Sequence, residues 1–352
     1  MYLNCNLIFL CICTILTMYQ KQKKNLQKKH NAENALIGCG YWGTIIANNL
    51  LNLGYKNFYI YDFNIKNSQN LKKKFKNVVI SRNYNDILEN ESIKNIFYAT
   101  PPSKNFSLIK KALFYKKNIF LEKPGFTKIS DFNKIKRLQS NNKTLMFGYV
   151  YCFNNYIEYI KYIISKKKLG KLLYINFQRQ NLGPIRNDVN VAEDLSSHDL
   201  SIILNIFGKL PKIISHSKYS ILKKNISDIS NLHMKLGSVY IDINNTWLNP
   251  TKIRRITIIG SKKMLLFDEM DLANTIKIYN KYVEYPKVQE FDKKFFKSKA
   301  LIYEGKNFSP KIKLKSPLER EIKYFFKCVN KKIMPKTNFN FAYKILKFLK
   351  KI

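Results

Sequence analysis

In the stretch "EDLSSHDLSIILNIFG", Glu193 to Gly208, His198 follows Asp194 by four residues, in a chain with four histidines. On a helix that spacing puts both side chains on one face. An imidazole beside a carboxylate can take a proton from a hydroxyl near neutral pH. The same spacing would suit two metal ligands, but no third ligand stands nearby, so no metal is expected. A second group points to a nucleotide: in "ALIGCGYWG", Gly38, Gly40 and Gly43 have the G-x-G-x-x-G spacing, after a short apolar run and at the start of the helical pattern "TIIANNLLNLG". The first glycine would make the tight turn, the second would let a diphosphate approach, and the third would let helix pack on strand. The helix N-terminus then faces the phosphates, and Tyr41 and Trp42 belong to the same loop. "YIYD" ends at Asp62, whose carboxylate can accept both adenosine ribose hydroxyls and would repel a 2′-phosphate. NAD is therefore favoured over NADP, with the nearby Lys66 as an opposing charge.

These residues need rigid elements beneath them. From Asn34 to Tyr149 short apolar runs ("ALI", "NFYIYD", "VVI", "NIFYA", "NIFL", "TLMFGY") alternate with helical segments such as "NFSLIKKALFY". That alternation predicts an α/β domain with a doubly wound parallel sheet, a Rossmann fold over 34–150. After Tyr149 the pattern changes to a helix over Asn154 to Ser165, the strand "KLLYINFQRQ" (Lys171 to Gln180) and the helix of the opening stretch. The strand-like runs "VYIDIN", "RRITIIG" and "KMLLFD" follow. They predict a C-terminal α+β domain over 151–352 with a large, mostly antiparallel open sheet. Glu284 to Lys315 reads as irregular, and "PLEREIKYFFKCV" and "FAYKILKFLKK" read as closing helices.

With 352 residues, 45% of them hydrophobic, the chain can bury two cores. The formal charge of +40 comes from Lys spread along the whole sequence beside abundant Asn, Ile and Tyr. Without a basic helix or an RNA-binding aromatic signature it predicts no nucleic-acid partner. Cys5, Cys11, Cys13, Cys39, Cys152 and Cys328 form no CxxC pair, which fits a reducing, cytoplasmic setting. Residues 1–33 read as an extension. "LIFLCICTILTMY" is shorter than a bilayer span and precedes a basic run, leaving either a short membrane anchor or a start at Met18.

"LEKP", Leu121 to Pro124, closes the fifth predicted strand, and here the chain resembles the Gfo/Idh/MocA family of sugar dehydrogenases, from about Ala35 to the C-terminus. The resemblance implies a Rossmann domain followed by an open-sheet domain, and a cofactor edge formed by Glu122, Lys123 and the "ATPP" residues Thr100 and Pro101. Relatives often carry a His where this chain has Lys104 and Asn105. Gln178 to Gly208 and Thr246 to Glu269 further resemble the branch containing bacterial UDP-N-acetylglucosamine and UDP-N-acetylglucosaminuronate 3-dehydrogenases. Two departures are Ala192 and Glu193, where relatives carry a bulky apolar residue and Trp, and Asn249, where Asp is usual.

Lys123 at the carboxyl end of a parallel strand could stabilise a developing alkoxide. By the resemblance, His198 would be the general base and Asp194 its orienter or a sugar-hydroxyl acceptor; sequence leaves open whether Lys123 or His198 takes the proton. A helical wheel gathers Asp194, Ser197, His198, Ser201 and Asn205 into one polar stripe on an otherwise apolar helix. Asn187 to Gly208 holds no Lys or Arg, where the average composition would give about four. The stripe therefore reads as a cleft wall rather than open surface, with Ser196 and Ser197 small enough to admit a ligand. Arg179, Asn181, Arg186 and Asn190, just upstream, would contact an anionic nucleotide-sugar. His30, His216 and His233 have no partner by spacing.

The expected function is NAD-dependent oxidation of the C3 hydroxyl of a nucleotide-activated N-acetylhexosamine to a 3-keto sugar, upstream of an aminotransferase, in a homodimer or homotetramer. The alternatives are a dehydrogenase of a free sugar or inositol, and a non-catalytic nucleotide-binding scaffold.

Overall fold

The computed structural model describes residues 33–139, 143–187, 189–284 and 301–352; the "LIFLCICTILTMY" segment lies outside them. The chain folds as two units. One runs to Gly148 and includes Glu321–Phe339; the other comprises Tyr149–Arg320 and Asn340–Ile352.

Unit 1 holds β1 (Asn34–Ile37), β2 (Tyr59–Tyr61), β3 (Val79–Ile80), β4 (Asn95–Tyr98), β5 (Asn118–Glu122) and β6 (Leu145–Gly148). They form one parallel sheet in the order β3-β2-β1-β4-β5-β6. Every residue of β1, β4 and β6 is buried, which explains why these strands read as unbroken apolar runs rather than alternating ones. The crossovers are α1 (Tyr41–Asn52), α2 (Ile65–Lys74), α3 (Tyr84–Glu89), α4 (Pro102–Phe114) and α5 (Ile129–Leu138). At the amino end of the sheet three buried amides form a ladder. Asn118 donates to Asn95 and Asn95 to Asn34, both at 3.0 Å, and the backbone N–H of Thr144 donates to Asn118.

Glu321–Phe339 was expected with the second domain. It belongs with unit 1 because Phe325 lies 5.2 Å from Phe97 and 5.8 Å from Phe120, while Phe326 stacks on Tyr55. Fully burying such a ring contributes roughly 1.5–3 kcal/mol, so the sheet retains this segment.

Unit 2 contains α6 (Asn155–Ser165), β7 (Leu172–Gln180), a π-helical turn at Ala192–Ser196, and α7 (Ser197–Phe207). Then come β8 (Lys212–Tyr219), β9 (Ile229–Leu236), β10 (Val239–Thr246), β11 (Ile253–Gly260), β12 (Met264–Asp268) and β13 (Ile276–Tyr279). The seven-stranded sheet has the order β13-β12-β11-β7-β10-β9-β8 and is antiparallel except for β7 with β10. Strand alternation places Ile175, Phe177 and Arg179 on the buried face with Ile241, Ile243, Asn245, Ile256 and Ile258. The other face is polar and partly exposed, with Tyr174 bonded to Asp242 and Asn244 to Asn231.

The expected irregular stretch contains a strand. β15 (Leu301–Glu304) pairs with β14 (Lys281–Glu284), Tyr303 stacking on Tyr282 with centroids 4.7 Å apart. The helices α8 (Pro317–Lys331) and α9 (Phe339–Leu349) close the chain. Among the described residues no helix is long and apolar enough to cross a membrane.

Candidate functional site

The glycine loop of unit 1 follows β1 directly. Gly38 has φ +92°, and a Cβ there would lie 2.5 Å from the Ala99 carbonyl oxygen; a Cβ on Gly43 would overlap the Gly38 carbonyl. These two glycines are required by the protein's own packing. Gly40 differs: a Cβ there would meet nothing within 4 Å. The N-terminus of α1 has no side-chain cap and no acidic residue in its first turn. Uncapped N–H groups at a positive helix end, beside open space over Gly40, suit a diphosphate, so these residues fit a dinucleotide. Tyr41 and Trp42 sit in the first turn of α1, Tyr41 being 83% exposed.

Asp62 stands at the end of β2, where a ribose acceptor belongs. Its carboxylate also ties the loop together, accepting the backbone N–H of Cys39 at 2.7 Å and of Asn64 at 2.8 Å, with the Asn67 amide at 3.3 Å. A carboxylate offers about four lone-pair positions, so one remains for a hydroxyl. Lys66 is exposed on the first turn of α2.

Glu122 and Lys123 follow at the carboxyl end of β5. Burial pushes the Glu122 carboxyl up to about 7, against the opposing pull of a hydrogen bond from the Trp42 indole and the charge of Lys123. Its Oε1 is buried without a hydrogen-bond partner among the described residues. Gly148, paired with it on β6, leaves room for it, since a Cβ there would lie 2.9 Å from the carboxyl carbon. Asn105, which is buried in the first turns of α4, bridges two loops. It accepts from Thr100 Oγ1 at 2.5 Å and donates to the Gly125 carbonyl at 2.6 Å. Thr100 and Pro101, from the loop after β4, are thereby fastened to the loop that follows Lys123.

In unit 2 the structure corrects the wheel. Ser196, Ser197 and Ser201 are fully buried. Ser197 and Ser201 bond to the carbonyls of Asp194 and His198, at 3.0 and 2.6 Å, and Ser196 to Asn245. They line no opening. Asp194, His198 and Asn205 still share a half-buried side, as the wheel has it, although Asp194 stands in a π turn, Ala192–Ser196. Asp194 and His198 are both half-buried, and Asp194 forms a 3.4 Å ion pair with Arg186.

The residue missed is Asp199. It is 2% exposed and accepts from Arg179 Nε and Nη2 at 3.1 and 2.9 Å, with Asn245 at 3.3 Å on its other oxygen. Arg179, 4% exposed, also donates to Tyr151 Oη at 2.8 Å, and Tyr151 donates to Glu269 at 2.8 Å. Burial disfavours the Arg179 cation, but Asp199 and Tyr151 outweigh it and raise its pKa. The expected anion-capturing Arg179 is thus a buried strut. It supports Tyr151, whose ring lies edge-on to His198 with centroids 5.3 Å apart. A signal was available: Arg179 shares the inward period of Ile175 and Phe177, and Asp199 interrupts the apolar arc of α7, so each needed an internal partner.

The other upstream residues are tied locally. Asn190 Oδ1 accepts the Glu193 N–H at 2.8 Å and the Asn190 N–H reaches Glu193 Oε2 at 3.4 Å; Glu193 also pairs with Lys350 at 2.7 Å. Glu193 therefore anchors a helix start. Asn181 donates to the Gly183 carbonyl and keeps a buried Oδ1 without a partner among the described residues. Asn249 bonds to Gln180. His216 and His233 do find partners, Ser230 and Asp242. Among the described residues no three His, Cys, Asp or Glu side chains gather as a metal site would require.

Residues 33–149 match the model of the Gfo/Idh/MocA oxidoreductase family, NAD-binding Rossmann fold. The uncharacterized oxidoreductase YrbE of Bacillus subtilis (strain 168) is 27% identical over 135 residues, 37% of this chain and 40% of YrbE. The chain spans about half or less of the length of the curated relatives it matches. Among solved structures, UDP-N-acetylglucosamine 3-dehydrogenase GnnA from Acidithiobacillus ferrooxidans superposes with a TM-score of 0.72 at 16% identity, over 91% of this chain and 95% of that one. A variant of KijD10, a 3-ketoreductase from Actinomadura kijaniata in complex with TDP-benzene and NADP, gives 0.71 at 10% identity, over 91% and 96%. At these identities the two structures share the fold.

Proposed function

We propose that this chain, whose residues 33–149 match the NAD-binding Rossmann domain of the Gfo/Idh/MocA oxidoreductase family, is an NAD-dependent dehydrogenase of a nucleotide-activated N-acetylhexosamine. It would oxidise the C3 hydroxyl to a ketone. The observation that carries the reading is the glycine loop, with an uncapped helix start, open space over Gly40, and a Glu-Lys-Pro turn closing β5 of the same sheet. Gly38, Gly40, Tyr41, Trp42, Gly43, Asp62, Thr100, Pro101, Glu122 and Lys123 form the cofactor side. Bound NAD would supply the hydride acceptor. Asp62 argues for NAD over NADP, because a 2′-phosphate would meet a carboxylate already committed to the loop.

If His198 accepts the hydroxyl proton, Lys123 as an ammonium stabilises the forming alkoxide; if Lys123 is the base, it starts as the neutral amine and becomes the ammonium on taking the proton. Asp194 orients His198 or a sugar hydroxyl. GnnA supports C3 of a UDP-sugar as the position of oxidation. The 3-keto product is a substrate of the kind an aminotransferase consumes. The polar open face of the unit 2 sheet is our candidate for homodimer or homotetramer contact. Cys39, Cys152 and Cys328 form no disulfide among the described residues, which fits a cytoplasmic setting.

Incubation with NAD and a panel of UDP-sugars, free sugars and inositol, following absorbance of the reduced cofactor, tests the reading. Oxidation of a UDP-N-acetylhexosamine is expected. Turnover of inositol with no UDP-sugar turned over would overturn the substrate assignment. No binding of NAD or NADP would overturn the enzyme assignment.

A further inference from the structure

In unit 2, β11 places Arg254 directly opposite Arg179 of β7. The two guanidinium groups are treated differently. Arg179 is engaged by Asp199 and Tyr151. Arg254 is half-buried, and the one hydrogen bond its guanidinium makes among the described residues runs from Nη1 to the carbonyl of its neighbour Ile253, at 3.3 Å. The carboxylates in its field already serve other groups, Asp199 taking Arg179 and Asn245, and Glu269 taking Tyr151. Burial first, then repulsion from Arg179, hold the Arg254 cation below its ordinary range despite those carboxylates. The neighbouring Arg255 shows the contrast, since it pairs with Asp268 at 2.6 Å.

A partly desolvated guanidinium with most donors uncommitted is suited to bidentate capture of an oxyanion. Its surroundings connect it to the candidate chemistry. The Arg179 guanidinium carbon lies 4.5 Å from the Tyr151 ring centroid, and that ring meets His198. We infer that Arg254 is a binding residue for an oxyanion carried by the substrate, either a carboxylate on the sugar or the diphosphate of a nucleotide-sugar. The identity of that ligand rests on the proposed function; the existence of an oxyanion site at Arg254 does not.

The test is isothermal titration of the full, NAD-loaded chain with UDP-N-acetylglucosamine, UDP-N-acetylglucosaminuronate and UDP, comparing wild type with Arg254→Gln and Arg254→Lys. Arg254→Gln should weaken binding by about 10- to 100-fold, the range of one charge-assisted hydrogen-bonded contact. Arg254→Lys, which keeps the charge but not the fork, should fall between. A loss confined to the uronate identifies a sugar carboxylate, and an equal loss on all three identifies the diphosphate. All three ligands binding Arg254→Gln within twofold of wild type would overturn the inference. If wild type binds none of the three, the proposed function fails, and thermal shift with inorganic phosphate and with acetate decides the site separately. Stabilisation that depends on Arg254, judged with Arg255→Gln as the control, supports it; stabilisation indifferent to Arg254 overturns it.

Discussion

Replacing Asp199 by Ala should destabilise unit 2 severely. The substitution leaves the Arg179 guanidinium, 4% exposed, with Tyr151 as its remaining side-chain acceptor and Arg254 as a like-charged neighbour. Removing one partner of a buried ion pair costs about 3–5 kcal/mol, since the other charge remains in a medium that solvates it poorly. For a unit of this size each kcal/mol lowers the midpoint by about 2–4 °C, so Asp199→Ala should melt about 6–20 °C lower. The chain has two tryptophans, and Trp247 is 1% exposed within unit 2. In a Trp42→Phe background its fluorescence therefore reports this unit alone. The paired replacement Arg179→Met with Asp199→Leu should recover most of the loss, because it removes both charges and keeps the volume. A midpoint for Asp199→Ala within about 2 °C of its parent would refute the strut.

Gly40→Ala should fold with a midpoint close to wild type, because its Cβ enters open space, yet lose NAD affinity by about tenfold or more in a fluorescence titration with NADH. Gly43→Ala should lower the midpoint itself. Nucleotide affinity unchanged in Gly40→Ala would contradict the assigned loop. Glu122, raised from 4.5 to about 7, binds its proton more tightly folded than unfolded. Its contribution to stability is full below about pH 4.5 and is lost as the pH rises through about 7. Unit 1 should accordingly lose stability between pH 5 and pH 8 in urea titrations, by an amount that Glu122→Gln removes; an identical pH dependence in the variant would count against a buried, raised carboxyl. His198→Ala and Lys123→Ala should each lower kcat by about 100-fold or more, and full activity in either would eliminate that residue from proton transfer.

Much of unit 1 was legible because parallel strands covered on both faces must be continuously apolar, and because a dinucleotide turn forces glycine at fixed spacing. "NIFYA", "NIFL" and "TLMFGY" all became strands where expected. β15 escaped notice because "LIYE" is exposed throughout and therefore carries no buried-face pattern. The helix of the opening stretch was legible as a helix and in its phase, with Asp194, His198 and Asn205 sharing a half-buried side. What escaped was the burial of Ser197 and Ser201, whose hydroxyls are satisfied by carbonyls of their own segment. Arg179 misled for a different reason: residue type suggests an anion partner, but strand alternation had already turned it inward, where an internal carboxylate is required.

The π turn also bears on how such a site can change over generations. A turn of this kind behaves as one residue inserted into an α-helix. Deleting a single residue from Ala192–Ser196 could therefore be absorbed as ordinary α-helix, leaving α7 and the Arg179–Asp199 pair in place. Asn190 and the segment's own start, immediately before the turn, would swing by about 100° relative to His198, while Arg179 keeps its place on β7. A lineage could re-aim the residues that lead into α7 in one step, without disturbing the Arg179–Asp199 pair.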